Sequence, residues 1–258
     1  MGLSIGISNS FGSSVFDGAG DIISSGLLMY VDAANSSSYP GTGTVLTDLT
    51  GNHNATLVNG VGFTSTDGGA LVFDGVDDYA TFGNVLNFDD SSTFSISIWF
   101  NNSQTLAASS DIYGLISKRD TNTVGGWTIG LRGGSTYKGL IVRASTSGNF
   151  GDFFSGLDFR STFSDGSWNN IVATYDSLDN LSVYVNGAFL GASGLEEYNF
   201  TNTSELMLGS FEDNVNFPVG QFPLNGKISQ AAIYGKALSA AEVLRNYNAI
   251  KVRYGIIR

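Results

Sequence analysis

From Phe94 to Phe100 apolar and polar residues alternate without a break. Phe94, Ile96, Ile98 and Phe100 fall on one side, and Ser95, Ser97 and Trp99 on the other. A period of two over seven residues specifies a strand with one face in a core and fits no helix. The same cadence recurs along the chain. Strands are expected at Leu27 to Val31, Ala55 to Val58, Ala70 to Phe73, Tyr79 to Phe82, Ile112 to Ser117, Trp127 to Leu131, Gly139 to Arg143, Trp168 to Tyr175, Leu181 to Val185, Ala188 to Leu190, Leu206 to Leu208 and Lys227 to Tyr234. Glycine-rich turns separate them, and Asn186-Gly187 is a type I′ hairpin signal. With 34 Gly and only 3 Pro, many turns must use left-handed glycines. One helix stands apart. Ser239-Ala240-Ala241-Glu242 is a capping box, followed by an apolar stripe of Leu238, Val243, Leu244 and Tyr247. The expected fold is all-β, a two-sheet antiparallel sandwich with one short C-terminal helix.

The 258 residues contain no internal repeat and no linker between 26 and 250, so one domain is expected there. Residues 1–25, rich in Gly and Ser, are expected to form an arm, either disordered or ordered against a neighbouring subunit. Five of the twelve basic residues lie in the last 23 positions, making 251–258 a basic tail. That end is either a solvated face or a docking end for an acidic partner. A net charge of −11 opposes a phosphate backbone, so no nucleic-acid partner is expected. No apolar run is long enough for a membrane helix, and Met1 to Gly20 lacks the basic start of an export signal. The absence of cysteine excludes disulfides and thiol chemistry.

Several segments, taken in order, resemble the laminin-G-like, concanavalin A-like lectin/glucanase jelly-roll family over about residues 26–249. They are the turn and strand Phe73-Asp74-Gly75-Val76-Asp77-Asp78-Tyr79-Ala80-Thr81-Phe82, the strand Phe94 to Phe100, and Gly126-Trp127-Thr128-Ile129-Gly130. Trp168-Asn169-Asn170-Ile171-Val172-Ala173-Thr174-Tyr175, the hairpin Leu181 to Gly187, and Leu224 to Tyr234 with Ala237-Leu238-Ser239 follow. The resemblance implies a jelly roll that binds sugars or proteins. It also implies a Ca²⁺ ion at the edge of the sandwich, for which Asp74, Asp77 and Asp78 are the candidate ligands. The same acids could instead bond their own turn's amides. Many relatives add an Asp after a Gly-x-Ile unit on the closing strand. Here Gly226-Lys227-Ile228 is followed by Ser229, which removes that ligand.

Sugar sites pair aromatic platforms with planar hydrogen-bonding groups. Two stretches expected to be long loops carry such parts: Asn149, Phe150, Asp152, Phe153 and Phe154 in 145–163, and Asp213, Asn214 and Phe217 in 211–223. The alternative is that their phenylalanines cap the open ends of the core. Catalysis is not expected. The five Glu (196, 197, 205, 212 and 242) form no Glu-x-Asp-x-Glu triplet of the kind that jelly-roll glucanases use. His53 is the single histidine, and no nucleophile elbow precedes a helix.

These features lead to an expectation of a non-enzymatic adhesion or assembly protein, specifically a virion-associated decoration or appendage protein of a tailed bacteriophage. It would be assembled in the host cytoplasm and oligomeric in the particle, with its arm and C-terminal end on other virion proteins and a lectin-like domain facing a cell-surface glycan. A Met start without an export signal, joined to a fold typical of the outside, motivates that reading. So does the segment Ala237 to Gly255, which resembles the ends of such domains in phage structural proteins. The alternative is a secreted carbohydrate-binding module or adhesin domain; a polysaccharide-acting enzyme ranks last.

Overall fold

In the computed structural model, which describes residues 21–108, 111–120, 125–146, 149–153, 157–176, 178, 180–193, 198–211 and 221–257, Phe94–Asn102 is buried along its whole length, on both faces. This strand is β7 in chain order and sits near the middle of an eight-stranded antiparallel sheet, sheet A. Its row runs β14 (Ala188–Ala192), β13 (Leu181–Val185), β12 (Trp168–Tyr175), β7, β16 (Asn225–Tyr234), β5 (Ala70–Asp74) and β4 (Gly62–Thr64). β1 (Leu27–Asp32) also pairs with β16. Sheet B holds, in order, β11 (Asn149–Phe153), β10 (Ile141–Thr146), β9 (Gly125–Arg132), β8 (Ile112–Asp120), β15 (Met207–Leu208), β6 (Tyr79–Thr81), β3 (Ala55–Val58) and β2 (Val45–Leu46). The two sheets face each other as a jelly-roll sandwich, as the alternation predicts.

The inner faces build the main core. Phe94, Ile96, Ile98 and Phe100 of β7 meet Ile116, Trp127, Ile129, Leu131 and Leu208 of sheet B. The other face of β7 points away from sheet B and is buried all the same. There a second apolar layer forms under helix α2 (Ala240–Lys251), which joins Trp99, Val172, Tyr184 and Tyr234 to Val243, Tyr247 and Ile250. The capping box forms as the sequence predicts: Ser239 Oγ accepts from Glu242 N–H, and Glu242 accepts from Ser239 N–H. Asn186 and Gly187 both have positive φ, as a type I′ turn requires.

Both described ends of the chain join the second layer. Ile22 and Ile23, within the stretch expected to be an arm, are buried there. Residues 1–20 and 258 lie outside the described residues. At the other end, Tyr254 stacks on Trp168 with centroids 4.4 Å apart and leans on Trp99 at 4.8 Å. Arg253, part of the expected basic tail, donates two parallel bonds to Asp32, 2.8 and 2.9 Å long. Asp32 is buried, and the Tyr30 hydroxyl also donates to it at 3.1 Å.

Removing one partner of a buried ion pair leaves an uncompensated charge. Arg253→Met should therefore cost about 3 kcal/mol in urea unfolding. Adding Asp32→Asn should recover a large part of that loss. A cost below about 1 kcal/mol would show that the pair behaves as a solvated one.

Candidate functional site

β5 ends in Asp74 and delivers the chain into a turn that returns to β6 at Tyr79. Gly75 has φ +80°, and a Cβ there would lie 2.6 Å from Asn225 Cβ, so only glycine fits. The acids then fold inward on their own backbone. Asp74 Oδ1 accepts from Val76 N–H at 2.8 Å, and Asp78 Oδ2 accepts from Asp74 N–H at 3.0 Å. The Asp77 carbonyl accepts from Asn59 Nδ2 at 2.9 Å, which ties the neighbouring turn to this one. One oxygen from each of Asp74, Asp77 and Asp78 lies within 4.8 Å of the others. Asp74 and Asp77 are exposed; Asp78 is 3% exposed, and its Oδ1 is enclosed without a hydrogen-bond partner. Burial, first, and then the charges of Asp74 and Asp77 push the Asp78 carboxyl up, against the opposing bond from Asp74 N–H.

The closing strand reaches this turn with a different residue from the one the resemblance implies. Asn225 pairs with Asp74, whereas Ile228 pairs with Leu71. Ser229 lies four positions from Asn225, about 13 Å along a strand. Its hydroxyl donates to the Gly69 carbonyl at 2.9 Å, and its own carbonyl accepts from Ala33 N–H. The acid at that end of the strand is Asp32, and its cation is the guanidinium of Arg253. The absence of an acid at 229 therefore does not bear on the Asp74–Asp78 turn.

Part of the first stretch expected to be a loop is a strand. Asn149, Phe150, Asp152 and Phe153 belong to β11, opposite Thr146, Ser145, Arg143 and Val142 of β10. Their alternation is broken by Gly151, which hid the strand in the sequence. Phe154 lies outside the described residues, as do Asp213, Asn214 and Phe217 of the second stretch. Of the neighbouring loop residues, Phe159 stacks on Phe163 at 5.2 Å and seals the core end. Asp158 and Arg160 form an exposed pair. Bonding from Arg160 holds the Asp158 carboxyl down at about 2. Two glutamates have structural partners: Glu205 accepts from the Thr81 hydroxyl, and Glu242 caps α2 and pairs with Lys236. Glu196, Glu197 and Glu212 lie outside the described residues. His53 is half-buried, and its backbone N–H donates to the Asp48 carboxylate.

The sequence reading missed the outer face of sheet B. Register aligns Val45, Thr56, Thr81, Met207, Ser117, Thr128, Arg143 and position 152 in one row across all eight strands. Residues flanking the row from Val45 to Arg143, such as Ala80, Ile116, Trp127 and Ile129, face the core, so that part of the row faces outward. Val45 and Thr56 are exposed, Thr81 half-buried, Ser117 and Thr128 buried, and Arg143 half-buried again. Thr128 Oγ1 is enclosed without a hydrogen-bond partner. Chain segments rest on glycines on either side of the deep part. A Cβ on Gly130 would lie 2.8 Å from the Phe211 ring, and one on Gly126 2.8 Å from Asn202 Nδ2. The middle of the row, Met207, Ser117 and Thr128, is therefore covered, with the Ser117 hydroxyl donating to the Ser210 carbonyl and the Thr81 hydroxyl to Glu205, and its exposed part is Val45 and Thr56 at one end.

The raised carboxyl of Asp78 has a direct consequence. Its folded state holds the proton more tightly than the unfolded chain does, so the ionised group opposes folding above that window. Without divalent ions, Asp78→Asn should gain stability relative to the parent near pH 7. The gain should shrink as pH falls toward the ordinary carboxylate value of about 4. Thermal melts of both proteins from pH 7 to 4 measure it. A difference that does not change with pH would contradict the assignment.

Comparison with known proteins accords with this geometry. The mosquitocidal protein 1 of Paraclostridium bifermentans is 26% identical over 174 residues, which are 64% of this chain and 13% of that protein. The crystal structure of its binding domain superposes with a TM-score of 0.65 and 21% identity, over 87% of this chain and 52% of that one. Domain 4 of AbnA, a GH43 extracellular arabinanase from Geobacillus stearothermophilus solved with arabinotriose, gives 0.60 and 18%, over 86% and 98%. The binding domain of botulinum neurotoxin serotype D gives 0.63 and 16%, over 86% and 51%. The chain spans a small part of the curated toxin and about half of the toxin binding domains. The family model described as the concanavalin A-like lectin/glucanases superfamily matches residues 74–244, and the chain belongs to that family.

Proposed function

We propose that this chain is a non-catalytic, lectin-like recognition domain whose ligand is a carbohydrate, received on the outer face of sheet B. The observation that carries the reading is the difference between the two outer faces. That of sheet A is closed by α2 and by the aromatic stack of Tyr247 and Tyr254 on Trp99. That of sheet B has no helix over it among the described residues, and its row is exposed at Val45 and Thr56 and half-buried at Thr81 and Arg143. Sugars are held by hydroxyl, amide and charged hydrogen-bonding groups beside an apolar ring face. Family membership supports the reading, as does a domain of the same fold solved with arabinotriose.

What bears the domain is a narrower proposal. Low charge and high Ser, Thr, Asn and Gly content suit an exposed structural component of a phage particle, docked through its ends. Likeness to the binding domains of two toxins favours the second bearer, a larger secreted polypeptide in which this is the binding module. Finding the chain in purified particles, or instead in the secreted fraction, decides between them.

The recognition reading is tested on a glycan array, followed by calorimetry with arabinotriose and the best array ligands. Binding in the range of about 10 μM to 1 mM is expected, without turnover of the corresponding polysaccharide. Arg143→Ala should weaken binding at least about tenfold, equivalent to about 1.4 kcal/mol, while the circular-dichroism spectrum is unchanged. Binding unaffected by Arg143→Ala and by Thr56→Trp would move the site elsewhere, and hydrolysis would overturn the reading.

A further inference from the structure

We propose that the outer edge of β14 is a docking edge for this chain's own N-terminal segment, which adds a strand to sheet A with Leu3, Ile5 and Ile7 beside Phe189. The contact concerns sheet A and does not depend on the glycan reading.

The edge itself comes first. β14 ends the row of sheet A, and among the described residues no strand pairs with its far side. A free edge is ordinarily guarded by charge, by proline, by a bulge or by a covering segment. Ala188-Phe189-Leu190-Gly191-Ala192 has no charged residue and no proline. Its one guard within the strand is a register shift opposite Val183 and Tyr184. Phe189 is 59% exposed, yet its ring meets Tyr184 edge-on with centroids 5.4 Å apart. Tyr184 is buried in the second apolar layer, so that layer runs out to Phe189 and stops there uncovered. On α2, which packs against β14, Leu244 is 48% exposed as well.

Place and sequence select the occupant. Twenty residues precede Asp21, where the described structure starts. Ile22 and Ile23 already lie in the second layer, and Ile23 N–H donates to Asn246 Oδ1 at 2.7 Å. The next residue of α2, Tyr247, closes on the hairpin that leads into β14. A Cβ on Gly187, the residue before β14, would lie 2.7 Å from the Tyr247 ring. Consecutive residues of α2 therefore hold the entry of the chain and the start of the free edge. Residues 9–20 can span about 40 Å, several times the width of a helix. Within the segment Leu3, Ile5 and Ile7 alternate with Ser4, Gly6 and Ser8, the period of a strand with one apolar face. Asp17 is the single charged side chain among residues 1–20, so an uncharged segment meets an uncharged edge. An added strand gains main-chain hydrogen bonds and seats alternate side chains on one face. A second copy using the same edge would instead bring two α2 helices together, each carrying Arg245 and Lys251, which like charge disfavours.

The chain has no cysteine, so engineered disulfides report the contact without background. In the full chain, Phe189→Cys is combined in turn with Leu3→Cys, Ser4→Cys, Ile5→Cys, Gly6→Cys and Ile7→Cys under mild oxidation. Mass spectrometry of the monomer after proteolysis should find the cross-link at one or more of positions 3, 5 and 7, at least about fivefold above positions 4 and 6, because a disulfide needs Cβ atoms within about 4.5 Å. Amide exchange across Phe189 to Ala192 should be at least about tenfold slower in the parent than in the Ile5→Asp, Ile7→Asp double variant. Equal cross-linking at odd and even positions, or none, would overturn the proposal, as would exchange unchanged by the double variant. Cross-links found only between two chains would overturn it as well, giving the edge to a second copy. Glycan binding is no part of either readout, so the two proposals fail separately.

Discussion

β7 has no exposed face, and much of the architecture follows from that constraint. A strand in a two-layer sandwich normally buries one set of side chains and leaves the other to water. Here Phe94, Ile96, Ile98 and Phe100 fill the space between the sheets, while Ser95, Ser97 and Trp99 also need cover. α2 supplies it. Tyr247 lies parallel to Trp99 at 5.4 Å, and Leu238 N–H and the Lys236 carbonyl bond the Ser95 hydroxyl that Trp99's face would otherwise strand. Ile22 and Ile23 enter from one end of the chain and Tyr254 from the other, so the third layer is assembled from both termini. The Arg253–Asp32 pair then clamps that layer to β1.

Closing one side leaves the other as the face proposed for recognition. With sheet A roofed by a helix and an aromatic stack, the outer face of sheet B is the other broad face of the sandwich. Its floor is rigid because every residue in the row sits on a hydrogen-bonded strand, and a rigid floor lowers the ordering cost of binding. Glycines let Phe211 and the Asn202 segment approach β9 closely and cover its middle. The acid turn at Asp74–Asp78 joins β5 of sheet A to β6 of sheet B.

Local signals made most of this fold legible. Strict alternation located β7, the Trp168–Tyr175 stretch gave β12, and the Ser239–Glu242 box gave the start of α2. Short elements were not legible. β2 has two residues and β4 three, too few for a period to show. β11 reads as a loop in the sequence because Asn149, Gly151 and Asp152 are turn formers, and only pairing with β10 makes them extended. Long-range partners were equally hidden. Arg253 and Asp32 are 221 positions apart, and a charge count alone makes that end a free basic tail. The sheet B row joins positions from 45 to 152 and 207 that no sequence spacing relates, because strand order departs from chain order. The Asp74–Asp78 cluster was visible because it is local. The lone unpartnered oxygen of Asp78 was not, since it depends on burial.

The central claim is that recognition occurs on the outer face of sheet B, and amide chemical-shift mapping with a bound oligosaccharide tests it most directly. The account predicts that the largest shifts cluster at Thr56, Thr81, Ser117, Thr128 and Arg143, with little change at Trp99, Tyr247 and the α2 surface. Shifts concentrated on α2 and the outer face of sheet A, with the hydroxyl row unmoved, would contradict it.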